Sequence, residues 1–285
     1  SAMLAITAFT IGADLAPSDS RAHVMGRVLE ASARGAVIGA VGGFSVMSVL
    51  NSLDTWHVVF TGYAIAALVA LGVVWRKVPE TRAETPSAAV RQPLSRHLAR
   101  LVVIVLITST SYGMVRPIYL IFLQDRFTTD IITLALAYFP AGVAASFLPS
   151  RLGRLSDRLG RAPLMATGML ISAGLSVCLP LVPGLIWLIV LFTLEQIGGS
   201  MAGPAEAAMV ADLAGSDVRG MGYGIYTAAT WVGSAVGPLI GGLLYDHISE
   251  GMPFFLNAGM LVLGATLVLV LLREKVLASA PASEM

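Results

Sequence analysis

Residues 13–43 and 211–241 of this chain are two copies of one sequence, ADLAPSDSRAHVMGRVLEASARGAVIGAVGG and ADLAGSDVRGMGYGIYTAATWVGSAVGPLIG. Shifted by 198 positions they agree at 12 of 31 residues. Matches of Ala and Gly say little in a chain with 29 Gly. The matches Asp14/Asp212, Asp19/Asp217 and Arg21/Arg219 say more, because only 12% of the residues are charged. A repeat of this length fixes the architecture before any local reading: the chain holds two copies of one helical unit. The second copy follows about a hundred residues of apolar helical pattern, starting near Arg100, whereas thirteen residues precede Asp14. The repeat therefore leads to the expectation of a chain cut short, with roughly a hundred residues, about three and a half helices, upstream.

Runs of about 20 mostly apolar residues are long enough to cross a bilayer as helices. They fall at 1–13 (a stump), 23–50, 56–75, 99–123, 131–150, 163–182, 185–211, 220–244 and 252–272, eight complete spans and one partial. A hydrophobic content of 56% and a mean hydropathy of +0.81 agree with a polytopic membrane protein. The loops alternate in charge. Arg21, Arg76, Lys77, Arg82, Arg91, Arg96, Arg100, Arg151, Arg154, Arg158, Arg161, Arg219, Arg273 and Lys275 fall on one side, and Arg126 alone on the other. Such asymmetry assigns the basic side to the cytoplasm, and one miscounted span would scramble it. Residues 78–98, with three Pro and mixed charge, read as a cytoplasmic linker, and 276–285 as a disordered tail.

Other function classes lack their residues. The net charge of +1 offers nothing to nucleic acid, and lone Cys178 excludes a disulfide within the chain. With Lys77 and Lys275 its only lysines, the chain has no phosphate-binding loop. His23, His57, His97 and His247 stand at span ends, so neither a metal nor another cofactor is expected, and no enzyme constellation is visible.

One loop carries the clearest motif: Gly153-Arg-Leu-Ser-Asp157-Arg158-Leu-Gly160-Arg161-Ala-Pro163. Gly153 and Gly160 permit tight turns and close helix approach. Asp157 suits a helix N-terminus, and Arg154, Arg158 and Arg161 hold the loop on the basic side. This stretch resembles the G-x-L-x-D-R-x-G-R-[RK] signature of the major facilitator superfamily, which lies between the eighth and ninth of twelve helices. It departs from it at Ala162, where a second basic residue is usual. The two-copy architecture, the basic linker and the Asp-x6-Arg loops fit the same family. The resemblance implies an all-α, polytopic transmembrane bundle of two pseudo-symmetric halves. Residues 1–77 would hold an incomplete first bundle, from the end of the fourth helix to the sixth, and residues 99–275 a six-helix second bundle. It also implies a gate in which the loop carboxylate, here Asp157, pairs across the halves with the start of the fifth helix, around Arg21–Arg27.

Gly233, Gly237, Pro238 and Gly241 form a second motif. Small residues four apart let membrane helices approach closely, and Pro238 removes one helix hydrogen bond. The first copy keeps the ladder as Gly35, Gly39 and Gly43 but has Ala40 in place of Pro. Drug–proton antiporters of the family usually carry Gly-Pro-x-x-Gly-Gly on the fifth helix, and this chain does not. The ladder serves packing alone or also ligand contact.

Ionisable groups inside spans are costly and point to function. Glu195 is ten residues into its span, about 15 Å deep and near the midplane. With Gln196 it is a candidate proton or cation site, or a hydrogen-bonded structural carboxylate. Glu30 and Arg34 stand in the favourable i, i+4 order, as an internal ion pair or as a site for an anionic substrate. Arg27 is near enough to the interface to snorkel. Arg116, beside Tyr112, Gly113, Pro117 and Tyr119, marks a flexible helix at a gate or substrate contact, or an interfacial anchor belt. Glu206 lies near the cytoplasmic mouth and suits gating.

The function expected is secondary transport by alternating access about a midplane site, coupled to protons, with export of drugs or metabolites first and uptake or exchange of a small organic anion second. A non-transporting scaffold or sensor of the same fold is the alternative of another class. The expected partners are a small-molecule substrate, protons or another coupling ion, and the lipid bilayer, with no nucleic acid and a monomeric state. The expected location is a bacterial inner membrane, with the linker and C-terminus cytoplasmic.

Overall fold

The computed structural model describes residues 2–49, 54–78, 95–214 and 218–272, and every element among them is helical. Most of the linker, the tail 276–285 and Asp217 lie outside the described residues. The first half contributes α1 (Ala2–Leu15), α2 (Arg21–Val49) and α3 (Asp54–Lys77). The second contributes α4 (Arg96–Arg126), α5 (Ile131–Phe147), α6 (Pro149–Leu159), α7 (Arg161–Cys178), α8 (Leu185–Ser200), α9 (Ala202–Ala214), α10 (Arg219–His247) and α11 (Met252–Leu271).

Local chemistry sets the ends and breaks. Ser95 accepts the Leu98 amide at 3.1 Å and opens α4, and Asp130 accepts the Thr133 amide at 2.8 Å and opens α5. The hydroxyl and amide of Thr133 hold the exposed Asp130 carboxyl below the usual carboxylate range. Pro149 has no N–H to continue α5, and the chain turns by 51° into α6. Pro204 deprives the Ser200 carbonyl of its partner four residues on, and α8 gives way to α9 at Met201.

Six described helical stretches are long and apolar enough to cross a membrane, and the bent pair α5–α6 makes a seventh. The eighth complete span expected is α2. It has the length, 29 residues, and carries Arg27, Glu30 and Arg34 in its first half. The signature expected as a loop is mostly helix. Gly153 lies inside α6 and makes no turn, whereas Gly160, with φ of 94°, does. The flexible break expected near Gly113 and Pro117 is also absent, and α4 runs unbroken through both.

Lipid is as apolar as a leucine core, so packing of membrane helices rests on close contact more than on expulsion of water. The most extensive contact is between α4 and α10. A Cβ at Gly233 would lie 2.8 Å from the Thr110 nitrogen, and one at Gly237 would overlap the Thr110 carbonyl and the Met114 nitrogen. Gly113 answers from α4, where a Cβ would lie 2.8 Å from the Ser234 Cα. The first half joins the second through α1 on α9 and α10, and α2 on α5, α6 and α9. One apolar cluster crosses the junction, with Phe9, Ala22 and Met25 set against Leu101, Met165, Met209 and Tyr223. A second lies within the second half around Tyr119, Phe122, Phe192 and Phe254. Among the described elements α3 packs on α2, and its apolar stretch is 0% buried.

Candidate functional site: a cross-half latch and a midspan carboxylate

Two polar constellations stand out, one where the halves meet at the basic end and one halfway along the second half. The first is built by the repeat itself. Arg219 donates to Asp14 at 2.6 Å, and Arg21 pairs with Asp212, which also takes Arg161. Each copy's aspartate thus holds the other copy's arginine. The charged identities that betrayed the repeat are the residues that tie its two copies together. Asp14 and Asp212 lie at the same end of the bundle, as two homologous units require.

Around this crossed pair, α2 and α6 cap one another. The Asp157 carboxylate on α6 accepts the Ala22 amide at 3.1 Å and the His23 amide at 2.9 Å, at the start of α2. In return the Glu30 carboxylate on α2 accepts the Ser150 amide at 2.8 Å, at the start of α6. Both arrangements satisfy helix amides that have no partner within their own helix and put negative charge on the positive end of a helix dipole. The helices can come this close because both crossing points are glycines. A Cβ on Gly26 would overlap the Pro149 carbonyl, and one on Gly153 the Ala22 carbonyl. His23 Nδ1 lies 2.9 Å from the Ser150 carbonyl oxygen, and Arg161 donates to the Ser18 carbonyl at 3.3 Å. Arg158 is exposed.

Glu30 and Arg34 form the i, i+4 pair at 2.9 Å. Arg34 Nε also donates to the Ser146 carbonyl at 2.8 Å, and its guanidinium lies over the Phe147 ring. Their partners are therefore the α5–α6 bend, and they stand apart from the midspan group.

That midspan group centres on Glu195, which is 0% exposed. Oε2 accepts the Gln196 amide at 2.8 Å. Among the described residues, Oε1 is buried without a hydrogen-bond partner, as is the hydroxyl of Tyr112. Arg116, exposed at the edge, and Asn257 lie in the electrostatic surroundings of Glu195. Asn257 accepts from Ser111 and donates to Ser176 at 2.8 Å. Ser172 lies beside Tyr112 but donates to the Glu195 carbonyl at 2.8 Å. The Tyr112 ring lies over Gly199, one helical turn beyond Glu195, where a Cβ would come within 2.9 Å of it. Glu195, Gln196, Tyr112 and Arg116 are thus brought together.

Asn257, Ser111, Ser172 and Ser176 belong to the same polar patch and were not anticipated. Asn257 had a signal, as the one amide in the apolar run 252–271. The serines had none, since serine is common in packed membrane helices. Next to the patch, Tyr119 stacks on Phe192 at 3.6 Å, and the Tyr138 edge meets both rings. Among the described residues no group of carboxylates, histidines or cysteine could hold a metal ion.

This arrangement has counterparts among known proteins. A family profile, the Major Facilitator Superfamily, matches residues 101–284. YhjO of Bacillus subtilis, an uncharacterized MFS-type transporter, is 28% identical over 142 residues, half of this chain and 35% of its own length. A chloramphenicol resistance protein of Streptomyces lividans is 28% identical over 296 residues, 96% of this chain and 71% of its own. The crystal structure of the human organic anion transporter MFSD10 (TETRAN) superposes with a TM-score of 0.76 at 15% identity, covering 93% of this chain and 67% of that one, a likeness of fold.

Proposed function

The chain belongs to the Major Facilitator Superfamily, a family of membrane transporters, and on that premise we propose that it works by alternating access and exports a drug-like or metabolic small molecule against proton entry. The observation that carries this reading is the crossed pair, Asp14 with Arg219 and Asp212 with Arg21. A transporter of two rocking halves needs contacts made in one facing state and lost in the other. Ion pairs and reciprocal caps between halves, at one end, are contacts of that kind. With the basic end cytoplasmic, the arrangement is the state closed to the cytoplasm. The gate residues are Gly153, Asp157, Gly160 and Arg161 with the crossed pairs, and Gly233, Gly237, Pro238 and Gly241 keep α10 fixed to α4 while the halves move.

Glu195 is the proton site of this reading. A carboxylate with a bare oxygen inside hydrocarbon is costly as an anion and much less so as an acid. Gln196 supplies one hydrogen bond, the Tyr112 hydroxyl lies close by with no partner of its own among the described residues, and Arg116 is a cation at the rim. Export is favoured over anion uptake because Arg34, one of the two cations considered for an anion, is engaged by Glu30 and Ser146. Similarity to a chloramphenicol resistance protein supports export and makes chloramphenicol the first compound to try.

The test is substrate-driven proton movement by the full-length protein in liposomes. Wild type should acidify or alkalinise the lumen on addition of a transported compound, and Glu195→Gln should abolish the proton signal while exchange of substrate persists. Undiminished proton flux in Glu195→Gln would remove the residue from the mechanism. Accumulation of chloramphenicol in cells unaffected by expression would remove that substrate.

A further inference from the structure

A second buried carboxylate is used by neither constellation. Glu206 lies on α9 and is 8% exposed. Its one hydrogen bond among the described residues is from the Tyr226 hydroxyl, at 3.4 Å. Glu206 stands eleven residues after Glu195, three helical turns along and on nearly the same face, across the α8–α9 break.

What buries it matters most, because part of the cover belongs to the other half. α1 and α2 both pack on α9. Leu29 of α2 touches Gly203, where a Cβ would lie 3.3 Å from its Cδ1. The Tyr223 hydroxyl donates to the Ala207 carbonyl at 2.8 Å and lies 3.8 Å from Met25 Sδ, while its ring stacks on Phe9. Opening of the latch would draw Leu29 off Gly203 of α9, and Phe9 and Met25 off Tyr223 of α10, and let water in beside Glu206.

The groups around this carboxylate are few. From α10 come Tyr226 and, next to it, Tyr223; from α4 comes Tyr112, which lies in the electrostatic range of Glu206 and of Glu195. On α1 and α2, Asp14 is engaged with Arg219, Arg21 with Asp212, and Glu30 with Arg34, while Arg27 is exposed. On α6, Asp157 is engaged with the start of α2, and on α9 itself Asp212 is engaged with Arg21 and Arg161. Among the described residues no cation bonds to Glu206, in contrast with Glu30, Asp14 and Asp212.

We propose that Glu206 is a second proton-binding site, loaded when the cytoplasmic end is closed and emptied to cytoplasmic water when it opens. In the closed state the proton resides on a carboxyl oxygen and the Tyr226 hydroxyl hydrogen-bonds to the acid. When α2 leaves α9, water solvates the carboxylate and takes the proton, so one proton is released per opening and one bound per closing. This rests on the transporter reading above, and it gives the latch a protonation step of its own. The closed state binds the extra proton, so acid should favour closure.

The experiment is a distance measurement without substrate, on the full-length protein in lipid. Cys178→Ser removes the native thiol, and spin labels at Arg27→Cys on α2 and Met221→Cys on α10, both at exposed positions, report the separation at the basic end. In the unmutated gate the closed-to-open ratio should rise as pH falls, by up to about tenfold per pH unit for one linked proton. Glu206→Gln, a neutral mimic of the acid, should stay closed across the range, with its ratio changing less than about twofold. A wild-type slope in Glu206→Gln would overturn the proposal. Should that variant not fold, Tyr226→Phe replaces it, and a displaced midpoint supports the proposal while an unmoved one overturns it. Failure of the transporter reading would show separately, as absent substrate-driven proton flux in the wild type.

Discussion

The two copies of the repeat form similar helices, α2 and α10, and use their glycines in opposite places. On α10 the ladder is filled: Gly233, Gly237 and Gly241 press on Ser109, Thr110, Gly113 and Met114 of α4, while Gly224 meets nothing within 4 Å. On α2 the aligned Gly26 presses on Pro149 and Ser150 of α6, while Gly35, Gly39 and Gly43 meet nothing within 4 Å among the described residues. The lesson is that a glycine ladder encodes permission for close approach, and the partner decides which rung is used. Identical residues in aligned positions are therefore not equivalent energetically.

Changing aligned rungs is the strongest way to break this comparison. Gly237→Val should destabilise the chain in detergent by about 3 kcal/mol or more, because the added atoms meet backbone, which cannot give way. Gly39→Val in the same chain should be within about 0.5 kcal/mol of wild type, so equal losses in a chemical-denaturation series would end the argument. Gly26→Val and Gly224→Val should show the reverse order, with a loss of about 2 kcal/mol at Gly26 and almost none at Gly224. Next in size is Asp157→Asn, which removes a charged acceptor from two helix amides. A loss of about 1.5 to 3 kcal/mol is expected in the closed state, read as a larger open fraction between labels on α2 and α10. The smallest effect concerns the crossed pairs. Asp14 and Arg219 are partly exposed, and a double-mutant cycle with Asp14→Asn and Arg219→Gln should give a coupling of about 0.5 to 1 kcal/mol. Coupling should be smaller between Asp14 and Arg21, which sense each other electrostatically but share no hydrogen bond.

Much of this could be read before any coordinates. Apolar runs and alternating loop charge located the helices, since a membrane demands both. The placement of Asp157 against the start of α2 followed from family resemblance plus the repeat. The crossed pairing was within reach too: two copies of Asp-x6-Arg related by a pseudo-twofold axis place each aspartate near the other copy's arginine, but sequence alone does not say whether pairing is within a copy or across. Other features depend on three-dimensional neighbours. Gly153 could serve a tight turn or a close helix approach, and here it sits inside a helix and lets Ala22 approach. Gly113 and Pro117 suggested a broken or flexible helix, and α4 continues without a break through both, with Gly113 packed on Ser234 of α10. Arg34 reads in the sequence as the partner of Glu30 or as a site for an anion, and its further acceptor, the Ser146 carbonyl, is backbone and leaves no mark there. Ser111, Ser172 and Ser176 became notable only through Asn257 and Glu195.

The reciprocal capping of α2 and α6 has a consequence for how the closed end responds to its medium. A carboxylate held by fixed backbone amides is a short-range, directional clasp, whereas ion pairs between partly exposed side chains weaken as mobile ions accumulate around them. The two kinds of fastening coexist within the same few residues. Raising ionic strength should therefore slacken the arginine–aspartate contacts first and leave α2 hinged on Asp157 and Glu30, so that the halves part by pivoting about the capped ends instead of separating all at once.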